Sequence, residues 1–164
     1  MMGIIEQFMG REAGPLVQFI KYGIAGGIAT ATHILIFHIL AWKAFPALQE
    51  NDLAVEYLHW DVPEMDDRTR SRNSMIDNVT AFLFSNLVAY LINIFWVFER
   101  GRHGWIVEIG MFYAVSAISV AIGTALMGFL IKKFGMRTTY AFAANIVSAV
   151  LINYAVRKFV IFKG

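Results

Sequence analysis

Three cations lie against long apolar runs: Lys21 directly precedes one, and Arg157 and Lys158 directly follow another. A full charge at the bilayer centre costs at least ~2.5–3.5 kcal/mol on insertion scales. Cations so placed either snorkel to the headgroups or hold an anion there. Three on one side of a membrane suit a lipid phosphate, and Glu108 is the acid that would pair with one of them in the empty state. A second set is uncharged. Asn86, Tyr90 and Asn93 share one helical face, Asn145 and Asn153 share another, and His33 stands among apolar residues. An amide in hydrocarbon needs a partner, so these faces are expected to point into a helix bundle. There they either hydrogen-bond helix to helix or line a polar path, while His33 on its own reads as a helix–helix contact.

The elements that carry these residues are membrane spans. The 164 residues are 58% hydrophobic and only 16% charged, with a mean hydropathy of +0.57, whereas a soluble domain usually carries about 25% charged residues. Four runs lack Asp, Glu, Lys and Arg: Tyr22–Trp42, Val79–Phe98, Ile109–Ile131 and Thr138–Val156. Each reaches the roughly 20 residues that cross a hydrocarbon core. The expected fold is one all-α integral membrane domain over 1–164, with helices at about 16–42, 77–98, 105–133 and 138–162 and a polar loop at 43–76. Pro15 suits a helical first turn. Lys132, Lys133 and Gly135 suit a helix end, with cations on the last carbonyls and then a left-handed cap. Ile4, Ile5, Phe8 and Met9 form one apolar side of a short surface helix, in a segment without the basic start and apolar core of a signal peptide. In the loop, Leu53, Tyr57 and Trp60 have helical spacing that suits docking on the membrane interface, but the expectation is that they form the buried side of an ordered loop.

Lys21-Tyr22-Gly23-Ile24-Ala25-Gly26 aligns weakly with Phe112-Tyr113-Ala114-Val115-Ser116-Ala117, and Trp96-Val97-Phe98 with Val160-Ile161-Phe162. Each unit is a helix pair, so the repeat is parallel rather than inverted. Gly23 and Gly27, Gly26 and Thr30, Ser119 and Gly123, and Thr124 and Gly128 are spaced for close helix packing. The 14 Lys and Arg divide evenly between the two sides of a four-span topology, so the positive-inside rule leaves orientation open.

Several chemistries are excluded or unsupported. The chain has no cysteine, hence no disulfide or thiolate site. It has no phosphate loop and no polar face on which basic residues could bind nucleic acid. No catalytic constellation, metal site or cofactor is expected.

Together these residues resemble the GtrA-like family, small four-helix proteins associated with moving polyprenyl-phosphate-linked sugars across bacterial membranes. The resemblance rests on Gln18-Phe19-Ile20-Lys21-Tyr22-Gly23 through Gly26, on Asn93 followed by Trp96-Val97-Phe98, and on Asn153-Tyr154, Arg157-Lys158 and Phe162-Lys163. This chain departs from the family at Ala29-Thr30, His33, Ile94 and Phe95, and the loop is long. The resemblance implies a translocase (flippase), not an enzyme, in the bacterial inner membrane with both termini cytoplasmic, serving polysaccharide or lipid glycosylation. On that expectation Lys21, Arg157 and Lys158 hold the phosphate, and His33, Asn86, Tyr90, Asn93, Asn145 and Asn153 line the sugar's path. Four helices are few to enclose a sugar, which favours a homo-oligomer. The rival reading is a membrane anchor that positions a glycosyltransferase. A proton-coupled exporter of the small multidrug type would need a carboxylate in the first span, and Tyr22–Trp42 has none.

Overall fold

The computed structural model describes residues 3–97 and 105–156, and every regular element among them is helical: α1 (Ile4–Met9), α2 (Pro15–Lys43), α3 (Leu53–Leu58), α4 (Asp67–Ile92), a π-helical turn (Asn93–Val97), α5 (Trp105–Phe134) and α6 (Thr138–Val156). Three helices are long and apolar enough to cross a membrane: α2 over Leu16–Lys43, α4 with its π turn over Asp67–Val97, and α5 over Phe112–Phe134. Ile24, Leu35, Phe84, Ile118 and Phe129 on these helices are exposed. Lipid rather than water is the solvent that such a surface fits.

The chain divides into two compact units, one formed by residues up to Leu35 and Ala81–Val115, the other by Ile36–Thr80 and residues from Ser116 on. In the first, α1 lies with Ile4, Ile5 and Met9 exposed, while the Phe8 ring meets Trp96 edge-on, centroids 5.3 Å apart. The short helix the sequence suggests is present, with Phe8 turned in rather than out with Ile4, Ile5 and Met9.

The second unit holds the polar segment, which is ordered rather than a bare loop. Pro46, which cannot continue a helix, follows the end of α2, and Trp42 at that end stacks on Trp60 at 4.3 Å and donates to Asp61 O at 3.1 Å. Leu53 and Tyr57 point outward instead, Tyr57 at 88% exposure, so the expectation that they form the buried side is corrected. The polar side of this segment is the one tied down. Asp52 is fully buried because its oxygens accept the Gln49 and Thr139 N–H groups at 2.8 and 2.9 Å, the second capping the start of α6.

α4 begins at Asp67 rather than near residue 77. Asp66 caps it, accepting from Thr69 Oγ1 at 2.7 Å and from the Arg68 and Thr69 N–H groups at 3.0 Å. Arg70, counted with the loop in the sequence, is fully buried. It donates to Met136 O at 2.7 Å, Thr138 Oγ1 at 3.3 Å and Asp67 Oδ1 at 2.6 Å. Gly135 ends α5 at φ +60 with its N–H on Ile131 O at 2.9 Å, the expected left-handed cap.

The glycine spacings have two fates. A Cβ on Gly123 would collide with Asn145 Oδ1, and one on Gly128 with Met75 Sδ. Those two permit close approach, as expected. Gly23, Gly26 and Gly27 have nothing within 4 Å of where a Cβ would stand, so within the described chain the first span's stripe is not a packing surface.

Candidate functional site

In the first unit, two segments distant in sequence are drawn together under α1. Gln18 Nε2 donates to Val97 O at 3.4 Å, and Lys21 Nζ stands 5.3 Å from the centre of the Trp96 ring. Lys21 is fully buried and does not snorkel: it donates to Gly10 O at 2.6 Å and Gln7 O at 3.4 Å. Trp96 Nε1 donates to Phe8 O at 2.8 Å, and Arg11 Nε to Phe95 O at 3.2 Å. The last carbonyls of a helix lack intrahelical partners. Here the end of α1 takes a buried ammonium and an indole N–H instead.

The π turn starts at Asn93, whose Nδ2 donates to Ala89 O at 2.7 Å. That carbonyl is the acceptor an α-helical Asn93 N–H would use, so the side chain competes with the regular ladder just where it widens. Asn93 is buried, and its Oδ1 has no hydrogen-bond partner. Two turns earlier on the same face Asn86 is also buried, with Nδ2 unpartnered. An orphan acceptor and an orphan donor therefore share a face inside the span. Each represents about 1–3 kcal/mol of unmet hydrogen bonding. Between them Tyr90 packs edge-on against Phe112 at 5.7 Å. His33 Nδ1 lies 3.2 Å from Ser85 Oγ, a helix-to-helix contact.

The second unit has its own polar chain. Asn145 Nδ2 donates to Asn78 Oδ1 at 2.8 Å, Asn78 Nδ2 to Thr124 Oγ1 at 2.5 Å, and Thr124 Oγ1 to Val120 O at 2.7 Å. Asn145 is thus a helix–helix contact. Asn78, Arg70, Asp52 and the fully buried Asp77, whose carboxylate oxygens have no hydrogen-bond partner, were not singled out in the sequence, and Thr124 was read there only as a packing position. Their only local sign is polarity just before or within an apolar run. Among the described residues no group of three or more His, Asp or Glu could hold a metal ion. Arg157 and Lys158 lie outside the described residues, and so do the side chains of Glu108 and Asn153.

Long apolar helices, exposed apolar surfaces and amides buried within the spans define a small polytopic helical membrane protein. Residues 68–162 match the family described as GtrA/DPMS, transmembrane domain. The match covers more than half of the chain, and the chain belongs to that family. It is similar to a protein of Bacillus subtilis (strain 168) described as uncharacterized membrane protein YwcD, 30% identical over 88 residues, or 52% of this chain and 69% of the relative. No solved structure matches.

Proposed function

We propose that this protein is a translocase for a polyprenyl-phosphate-linked sugar, built from four spans arranged as two parallel helix pairs, with α6 as the fourth. Family membership supports a polyprenyl-sugar role. The observation that carries the translocase reading is the pair of unspent groups on one face of α4, Asn86 Nδ2 and Asn93 Oδ1. A static anchor gains nothing from orphan polar atoms in lipid, whereas a passing sugar, dense in hydroxyls, can pair with each of them.

In this reading Lys21, Arg157 and Lys158 hold the phosphate at the cytoplasmic headgroup level. Lys21 spends two hydrogens on Gln7 O and Gly10 O, so a phosphate takes the third or displaces α1. His33, Asn86, Tyr90, Asn93, Asn145 and Asn153 line the path, and the working unit is a homo-oligomer in the bacterial cell membrane. The chain carries cargo and catalyses no covalent step. The anchor reading, a partner for a glycosyltransferase, has one observation in its favour: Asn145 Nδ2 is spent on Asn78 Oδ1, although Asn145 Oδ1 is itself without a partner.

The test is exchange of a short-chain polyprenyl-phosphate sugar between liposome leaflets with the pure protein. Acceleration without ATP, lost in Asn86→Leu/Asn93→Leu, is the expected result. No acceleration with any of several sugars, together with co-purification of a glycosyltransferase, would favour the anchor.

A further inference from the structure

We propose that Arg68, Arg72 and Lys132 form a separate site for the phosphate of a membrane lipid. A cavity of about 360 Å³ opens among Arg68, Thr69, Ser71, Arg72 and Met75 on α4 and Lys132 on α5. Residues 68, 72 and 75 fall on one helical face by their spacing of four and three. Ser71 Oγ donates to Gly128 O at 2.7 Å, which fixes α5 beside α4. Lys132, one turn beyond Gly128, then reaches the same opening.

The acids that would normally neutralise such a cluster are engaged elsewhere. Asp67 takes Arg70 at 2.6 Å, and the Asp66 oxygens take the Thr69 hydroxyl and the Arg68 and Thr69 N–H groups. Among the described residues the ion pairs are Arg70–Asp67 and Arg137–Glu56, so Arg68, Arg72 and Lys132 are unpaired. Arg68 also stands in the first turn of α4, where the helix dipole disfavours a cation. Three mutually repelling charges around one cavity, one of them at the wrong helix end, are relieved by an anion.

The ordinary alternative is a solvated surface. The three side chains are exposed, as on such a surface, but they pair with none of the neighbouring acids and line a common cavity. Two guanidinium forks and an ammonium suit phosphate oxygens. Lys132 is the first charge after the uncharged run Ile109–Ile131, which sets the opening near headgroup depth. The cavity is larger than a phosphate alone, leaving room for what it is esterified to. If the translocase reading holds, this is a phosphate station on the loop side of the membrane. The site itself does not depend on that reading.

The test uses the full chain in phosphatidylcholine nanodiscs, with a short-chain polyprenyl phosphate and inorganic phosphate as separate probes and native mass spectrometry plus thermal shift as readouts. Each charge removed is expected to weaken lipid-phosphate binding about tenfold, and Arg68→Gln/Arg72→Gln/Lys132→Gln by a hundredfold or more. All three side chains are exposed, so the fold should survive; single Lys132→Gln is the milder check. Equal saturation by inorganic phosphate, with the same loss in the variant, would keep the site but make free phosphate its ligand. Unchanged lipid-phosphate affinity in the triple variant, or no binding of either probe to the wild type, would overturn the site. The leaflet-exchange assay with Asn86→Leu/Asn93→Leu fails or succeeds independently of that result.

Discussion

Lys21 Nζ donates to Gly10 O at 2.6 Å, so the one buried ammonium of the first span closes the end of the surface helix. A charge-assisted bond of this kind contributes ~1.5–3 kcal/mol. Lys21→Gln is expected to speed amide exchange over residues 4–11 by about tenfold or more, while α2 and α5 stay protected. Unchanged exchange would mean that α1 is held by its apolar contacts alone.

Gly123→Ala should destabilise the second unit by roughly 1–3 kcal/mol, the usual cost of overpacking, because the new methyl would collide with Asn145. Gly27→Ala meets nothing within 4 Å and should stay within ~0.5 kcal/mol of wild type. Thermal unfolding in detergent compares the two. A similar loss for both would show that the Gly27 face is packed in the working protein.

The Asn145–Asn78 hydrogen bond can be weighed by a double-mutant cycle with Asn78→Ala and Asn145→Ala. Interhelical bonds in membranes average ~0.6 and reach ~1.7 kcal/mol, and a coupling in that range is expected. Strict additivity would contradict a direct bond.

Asp66, which lies outside the spans, links the stability of the fold to pH. The Thr69 hydroxyl first, then the backbone N–H groups, hold its carboxyl below the usual range. A depressed carboxyl stabilises the fold fully above its unfolded value of ~3.9 and loses that contribution as pH falls through the lower folded value. Wild type should therefore exceed Asp66→Asn in stability at neutral pH, and the gap should close on acidification below that range. Thermal melts from pH 6 downward read this directly; a gap that widens in acid would refute the cap.

Orientation is testable because the chain has no cysteine. Gly3→Cys and Asn51→Cys are both exposed positions, unlike the buried Ser71. With cytoplasmic termini, an impermeant maleimide added to intact cells labels Asn51→Cys and spares Gly3→Cys. The reverse pattern would invert the topology.

Run length marks α2, α4 and α5 as spans, because crossing a fixed thickness of hydrocarbon is a demand that every residue in the run meets locally. Gly135 and Pro15 are legible for the same reason: caps and first turns are decided within a few residues. Lys21 was conspicuous as a charge beside an apolar run, yet nothing in its neighbourhood names Gly10 O as its partner. Arg70 looked like a loop cation; it is buried because Met136 O and Thr138 Oγ1, far along the chain, arrive beside it. The glycines make the point most directly. Gly23 with Gly27 and Gly123 with its neighbours carry the same kind of spacing, but only Gly123 and Gly128 meet another helix. Spacing sets which residues share a face. Which face finds a partner, and which amide is left with an unspent hydrogen bond, is decided by the packing of helices distant in sequence.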